Sequence, residues 1–174
     1  SNVEMKDSGI DSIGEIPFDW EIGKIKYLTI LITKGTTPSN IGEDFSDLKE
    51  VRFLKGEDLL DGEIIKNGKT FISNEVNKKL KRSQLSVEDL LVVIAGTLGK
   101  SAIVESHLLP ANTNQAISLL RFKSNVSTKF IHFWFQTSFC RKQILESAVI
   151  AAQPNLSMED LGNINLPIVN TEIQ

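Results

Sequence analysis

Residues 90–105 read LLVVIAGTLGKSAIVE. The first six are aliphatic or small and rich in β-branched side chains, the pattern of an interior strand. Residues 101–105 form a second strand-like run, and the loop between the two holds Gly96 and Gly99. Gly99-Lys100-Ser101 also invites a nucleotide-binding reading through G-x-x-x-x-G-K-[ST]. That reading fails on geometry. The first glycine of the motif would stand at position 94, which is Ile94, and counting from Gly96 leaves the loop two residues too short to wrap a phosphate in backbone N–H groups. A phosphate loop must also open a helix, whereas Ser101-Ala102-Ile103-Val104 is strand-like. The glycines instead supply tight-turn backbone conformations that side chains with a Cβ resist. The turn presents Thr97, Leu98 and Lys100 outward.

Working outward, QAISLLRF (115–122) reads as a third strand and VRFL (51–54) as a short buried one. Residues 16–20 look like an opening turn with an aromatic anchor. Residues 21–35 read as a short strand followed by a helix that stops at Gly35. Residues 62–85 mix Gly, Asn, Lys and Ser with short apolar pairs, which predicts irregular strands and long loops. Residues 86–89 are read as the cap of a single helical turn. STKFIHFWFQTSFCRKQILESA (127–148) predicts one long helix, capped by Ser127 or Thr128, with Phe130, Phe133, Trp134, Cys140, Ile144 and Leu145 on its apolar side. Residues 157–160 open a second, short helix, and INLPIV gives a strand or extended exit. The expected class is α+β: a mixed or mainly antiparallel twisted sheet, a long helix in the C-terminal half, and shorter helices.

A chain of 174 residues is most simply one domain with a real core. No apolar run approaches the roughly 18 residues needed to cross a bilayer, and the polar, acidic first residues do not resemble a secretory signal. Cys140 is the single cysteine; it excludes an internal disulfide and fits a reducing, cytoplasmic setting. Its apolar surroundings predict an inert core thiol. Net charge is −3, which on its own disfavours nucleic acid. The charges are segregated, however. Residues 43–63 carry eight acids, residues 66–82 carry six bases against Glu75, and residues 106–145 carry no acid at all. Such segregation can build a positive face on an acidic body.

Catalytic constellations are missing from the sequence. His107 and His132 have no metal-ligand spacing with each other or with Cys140, and there is no G-x-S-x-G elbow or G-x-G-x-x-G. Asp47-Leu48-Lys49 matches only the tail of a nuclease motif. No catalytic residue, metal or cofactor is therefore expected. What remains suits recognition: GTTPSN (35–40), NGKT (67–70), NTNQ (112–115) and AAQPN (151–155) place Thr, Asn, Gln and Lys in loops. Asn and Gln pair bidentately with adenine, Lys and Arg with guanine.

Six segments taken in order carry a resemblance. They are IGEIPFDWEIGKI (13–25), KGTTPS (34–39), FLKGEDLLDGEI (53–64), LSVEDLLVVIAGTLGKSAIV (85–104), ANTNQAISLLRF (111–122) followed by the aromatic helix, and QPNLSMEDLGNINLPIVNTEIQ (153–174). The series resembles a target recognition domain of the specificity (S) subunit of type I restriction-modification enzymes. The resemblance implies a non-catalytic domain that reads one half of a split site in double-stranded DNA. It also implies partners: a second recognition domain, methyltransferase (M) subunits, and restriction-translocase (R) subunits. Residues 1–174 are then expected to be one recognition domain, with 157–174 leading towards a spacer helix outside this sequence. The family's Pro-x-x-x-Glu-Gln exit is spaced differently here, since Pro167 lies five residues before Glu172 and Ile173 precedes Gln174.

Such domains read the major groove with variable loops, so the resemblance places a region and the residue types supply candidates. Lys66, Lys69, Lys78, Lys79, Lys81 and Arg82 are expected to neutralise phosphates. Thr36, Thr37, Asn67 and Asn77 are polar readers by type, and Thr97 and Lys100 sit at the loop tip. Two alternatives stay open: a recognition domain within a fused restriction-methyltransferase, and a protein-interaction module that does not bind DNA.

Overall fold

The computed structural model describes residues 3–150 and 155–168, with the backbone alone for 149 and 150. β1 (Met5–Asp7) and β2 (Glu15–Pro17) form a hairpin, and β3 (Glu21–Lys24) passes through one helical turn, α1 (Ile25–Leu28), into β4 (Thr29–Lys34). β5 (Val51–Leu54) and β6 (Phe71–Ile72) precede the helix α2 (Asn74–Lys79). β7 (Leu90–Val93), β8 (Ser101–Ile103), β9 (Ala111–Thr113) and β10 (Ile117–Phe122) follow, then α3 (Thr128–Gln136), α4 (Ser138–Ile150), α5 (Met158–Asn163) and β11 (Asn165–Ile168).

The central sheet has the order β4-β10-β7-β8, antiparallel throughout. Every residue of β7 is buried because both faces of the sheet are covered. Successive side chains on a strand point to opposite faces, so one strand supplies two cores. Leu90 and Val92 join Ile25, Leu120, Ile131, Phe135 and Leu161 beneath the helices. Leu91 and Val93 join Leu54, Leu59, Ile117 and Leu119 on the other side. That second core is closed by a small sheet, β6-β5-β9, in which β5 and β9 run parallel. α2 packs behind it, with Val76 and Leu80 against Val51, Phe53 and Ile72. The α+β class with largely antiparallel sheets is as expected, and β7, β8, β10, β5, α5 and β11 fall where their sequences place them. Residues 169–174, including Glu172-Ile173-Gln174, lie outside the described residues, as does residues 151–154 of the AAQPN loop.

Four expectations are corrected. The helix read up to Gly35 is a single turn, and residues 29–34 are an edge strand paired with β10. Ile25, Leu28 and Ile32 mimic helical spacing, but Thr29, Ile30, Ile32 and Thr33 are β-branched and stiff at χ1, and β10 offers them a ladder. The register skips Ile30 between Phe122↔Thr29 and Arg121↔Leu31, a bulge that leaves Ile30 66% exposed. The long helix of 127–148 is two helices. Ser127 caps the first by accepting from Phe130 N. Thr137, extended at φ −73° and ψ 152°, donates its hydroxyl to Trp134 O at 2.7 Å and accepts from Cys140 N at 3.2 Å. One threonine thus closes α3 and opens α4. Phe133 and Leu145, expected inside, are 65% and 60% exposed.

Residues 62–85 hold a helix beside the expected short strand β6 and loops, since Ser73 caps α2 by accepting from Val76 N at 3.1 Å. Finally, residues 86–89 form no helical turn. Asp89 Oδ2 does accept from Ser86 N at 2.7 Å, yet Glu88 is left-handed at φ 68°, which a right-handed helix excludes.

Candidate nucleic-acid interface

The polar loops are placed by where the strands end. Gly35 lets the chain leaving β4 press against the end of β9, since a Cβ there would overlap the Thr113 carbonyl. Thr36 N donates to Thr113 O at 3.2 Å, and the Thr37 hydroxyl donates to Gln115 Oε1. Asn114 N donates to Leu54 O at 3.1 Å, which ties the end of β5 to the same spot. Ile94 N donates to Ala116 O at 2.9 Å, and Ala95 bridges Asn155. Residues 35–37, 94–97, 114–116 and Asn155 therefore converge on one end of the central sheet. These are pieces of GTTPSN, NTNQ and AAQPN, joined by the loop of residues 94–100.

That loop is a tight reversal with no phosphate cradle. Gly96 and Gly99 take φ 86° and 82°, Gly99 N donates to Val93 O, and Val93 N to Lys100 O. Thr97 is exposed and Lys100 half-buried. Leu98 turns inward against the helix-side core, contrary to the expectation that it faces out. Ser101 begins β8, and its buried hydroxyl meets His132.

The basic segment docks beside this end through one buried amide. Asn112 has no exposure. Its Oδ1 accepts from Ser83 Oγ at 2.8 Å and Thr113 N at 2.8 Å. Its Nδ2 donates to Asn77 Oδ1 at 2.8 Å and Leu80 O at 3.1 Å. Every hydrogen-bonding position of that amide on the donor side is filled, and α2 with the following turn is fixed next to Thr113. Lys78, Lys79, Lys81 and Arg82 are exposed there. Lys79 pairs with Glu43, whereas Lys78, Lys81 and Arg82 form no ion pair among the described residues.

The structure thus brings Thr36 and Thr37 together with Asn77, Lys78, Lys79, Lys81 and Arg82 across the 112–115 segment, with Thr97 and Lys100 on the flank beyond Ala116. Asn77 points its side-chain oxygen inward to Asn112, a structural role beyond the one its type suggests. Lys66, Asn67 and Lys69 are held apart. Arg52 donates to the carbonyls of Ile65 and Lys66 and pins their loop. Lys66 lines a cavity of about 510 Å³ with Glu63, Glu105, His107 and His132, beside β8. The six bases of 66–82 are therefore not one stripe. The acidic segment is partly engaged in turn: Glu43 pairs with Lys79 and Asp61 with Arg141, while Glu50 accepts from Asn74 and Asp58 from Lys55 N. Gln115, Asn155 and Asn112 were not singled out from sequence. The NTNQ and AAQPN compositions flagged their segments without ranking residues in them.

Two titratable groups behave as core. Cys140 is fully buried and burial pushes its thiol up to about 12, so it is inert as a nucleophile. His132 is 8% exposed, with Ser101 Oγ 3.2 Å from Nδ1 and Gln136 Nε2 3.3 Å from Nε2. Because the Gln136 nitrogen only donates, His132 Nε2 accepts and its Nδ1–H donates to Ser101. Burial lowers the His132 pKa, against a smaller upward pull from Asp61. The folded state then resists a proton that the unfolded state takes up, so stability is full above the ordinary histidine pKa of 6.5 and declines as pH falls below it. Urea denaturation at pH 7.5 and pH 5.5 is expected to show that decline in the wild type and a smaller one in His132→Asn.

No helix among the described residues is long and apolar enough to cross a membrane. Known proteins resemble this arrangement. The profile of the family described as type I restriction modification DNA specificity domain matches residues 17–174. The EcoBI specificity subunit of Escherichia coli is 26% identical over 163 residues, covering 91% of this chain and 33% of that protein. The crystal structure of the HsdS subunit from Thermoanaerobacter tengcongensis superposes with a TM-score of 0.67 at 13% identity, covering 97% of this chain and 37% of that one. The S subunit from M. genitalium gives 0.60 at 14% identity, covering 88% and 36%. The chain spans about a third of the length of these relatives.

Proposed function

Because the chain belongs to the type I restriction modification DNA specificity domain family, we propose that it reads one half of a bipartite site in double-stranded DNA. It does so without catalysis, and within the full subunit it positions methyltransferase and restriction subunits on that site. The observation that carries this reading is the convergence of residues 35–37, 114–116 and Asn155 on one end of the central sheet, with exposed Lys78, Lys81 and Arg82 on the helix and turn that Asn112 docks next to Thr113. Base edges are read by side chains that offer paired donors and acceptors, and cations on the flank hold the register by contacting phosphates. A division of that kind fits what lies at the two parts of this surface.

The test uses the full-length protein that carries this chain, bound to its methyltransferase subunits. The triple variant Lys78→Glu, Lys81→Glu, Arg82→Glu is expected to weaken duplex binding for all sequences alike. Its log-affinity against log-salt slope should become shallower by about 0.9 for each phosphate contact removed. The base motif selected from a random duplex library should stay the same. Unchanged affinity and slope would count against a DNA face here and favour a surface for another protein.

A further inference from the structure

Resting on the DNA-reading assignment above, we infer that Gln115, oriented by Thr37, is a base-reading side chain for an adenine in the half-site. Gln115 is exposed, yet its surroundings are built. Asn114 N is tied to Leu54 O, Asn114 Oδ1 accepts from Ala116 N at 3.1 Å, and Ile117 N donates to Asn114 O. Its own backbone is therefore carried by a turn rooted in both sheets. The Thr37 strand end is pinned to the same turn by Thr36 N on Thr113 O. Between these two anchored segments the Thr37 hydroxyl donates to Gln115 Oε1.

That single bond sets the chemistry. An amide oxygen has two lone pairs and its nitrogen two donors. With one lone pair taken by Thr37, the side chain still presents one acceptor and an N–H side by side. Adenine offers the complement in the major groove, an N6 donor next to the N7 acceptor. Guanine offers two acceptors there, O6 and N7, and leaves Gln115 Oε1 facing an acceptor. Thr37 also restricts the glutamine rotamers before DNA arrives, so less side-chain freedom is lost on binding. Two neighbouring amides lack this freedom to read: Asn77 is turned to Asn112 and Asn114 Oδ1 closes its own turn.

The experiment selects bound sequences from a random duplex library with the full-length protein and its methyltransferase subunits, as wild type, Gln115→Ala and Thr37→Val. The wild type is expected to select a motif containing an adenine that Gln115→Ala no longer prefers. Discrimination at that one base pair should fall by roughly 5- to 150-fold, the range of one bidentate contact, with the other positions kept. Thr37→Val, which holds the shape without the hydroxyl, should weaken preference at the same base pair only. An unchanged motif for Gln115→Ala overturns the inference while leaving the DNA-reading assignment standing. An unchanged motif for Thr37→Val overturns the orienting role. A wild type that selects no motif overturns the assignment itself and this inference with it.

Discussion

Urea denaturation of an Asp89→Ala variant is expected to show a loss of about 3–5 kcal/mol in unfolding free energy, the range for removing one partner of a buried ion pair. Asp89 has no exposure, and both of its oxygens are engaged by Arg121, through Nε and Nη2 at 2.7 Å each. Oδ2 also accepts from Ser86 N. Arg121, 31% exposed, further donates to Gln84 O at 3.2 Å, and its hydrogen bond to Asp89 raises its pKa. The pair therefore pins the chain entering β7 to β10, whose register sets the whole central sheet. Alanine leaves a guanidinium without its counter-charge and a backbone N–H without its acceptor. Replacing both partners by apolar groups, Asp89→Leu with Arg121→Met, should cost far less, because neither charge is then stranded. A single-variant loss under about 1 kcal/mol, or equal losses in the single and double variants, would show that the pair does not hold this junction.

Asn112→Ala is expected to cost about 2–4 kcal/mol, from several buried groups left unpaired at about 1–3 kcal/mol each with partial relaxation. Four hydrogen bonds vanish, to Ser83, Thr113, Asn77 and Leu80. The effect should not be confined to stability. Asn112 docks α2 and the turn after it, so the Lys78, Lys81 and Arg82 side chains lose their fixed relation to Thr36 and Thr37. Proteolysis within 73–84 should accelerate, and duplex affinity of the full-length protein should drop although Asn112 touches no solvent. Asn112→Asp keeps the acceptors and loses both donations while burying a charge, so it should be at least as damaging as alanine. A variant with native protease resistance in 73–84 would refute the docking role.

Much of this was legible along the chain. LLVVIA and QAISLLRF could be read as strands because a strand covered on both faces needs apolar residues at successive positions. Ser157 and Asp160 announced α5, since a capping box is a local exchange between a side chain and a backbone three residues away. Residues 29–34 and 137 are not legible from sequence for the opposite reason. Whether Thr29–Lys34 extends depends on β10, whose partner residues lie some 90 positions later in sequence, and helical spacing at Ile25, Leu28 and Ile32 was equally consistent without it. The break at Thr137 depends on tertiary packing, in which α3 lies on β8 while α4 packs against α5 and β11 in the same core.

The candidate site divides along the same line. Residue types alone marked the polar loops, the basic segment and the absence of a phosphate loop at Gly96–Ser101, because those follow from spacing and from backbone freedom at glycine. Contiguity did not. Lys66 and Arg82 are close in sequence, yet one borders a cavity at β8 and the other lies exposed on the turn after α2 that Asn112 docks. Thr37 and Gln115 lie 78 residues apart in sequence and share a hydrogen bond. Sequence order sets local conformation through forces acting over a few residues, and that was enough for the strands, caps and turns. The reading surface depends on which strand ends meet, and that is settled by burying two faces of one sheet at once, a condition no local segment contains.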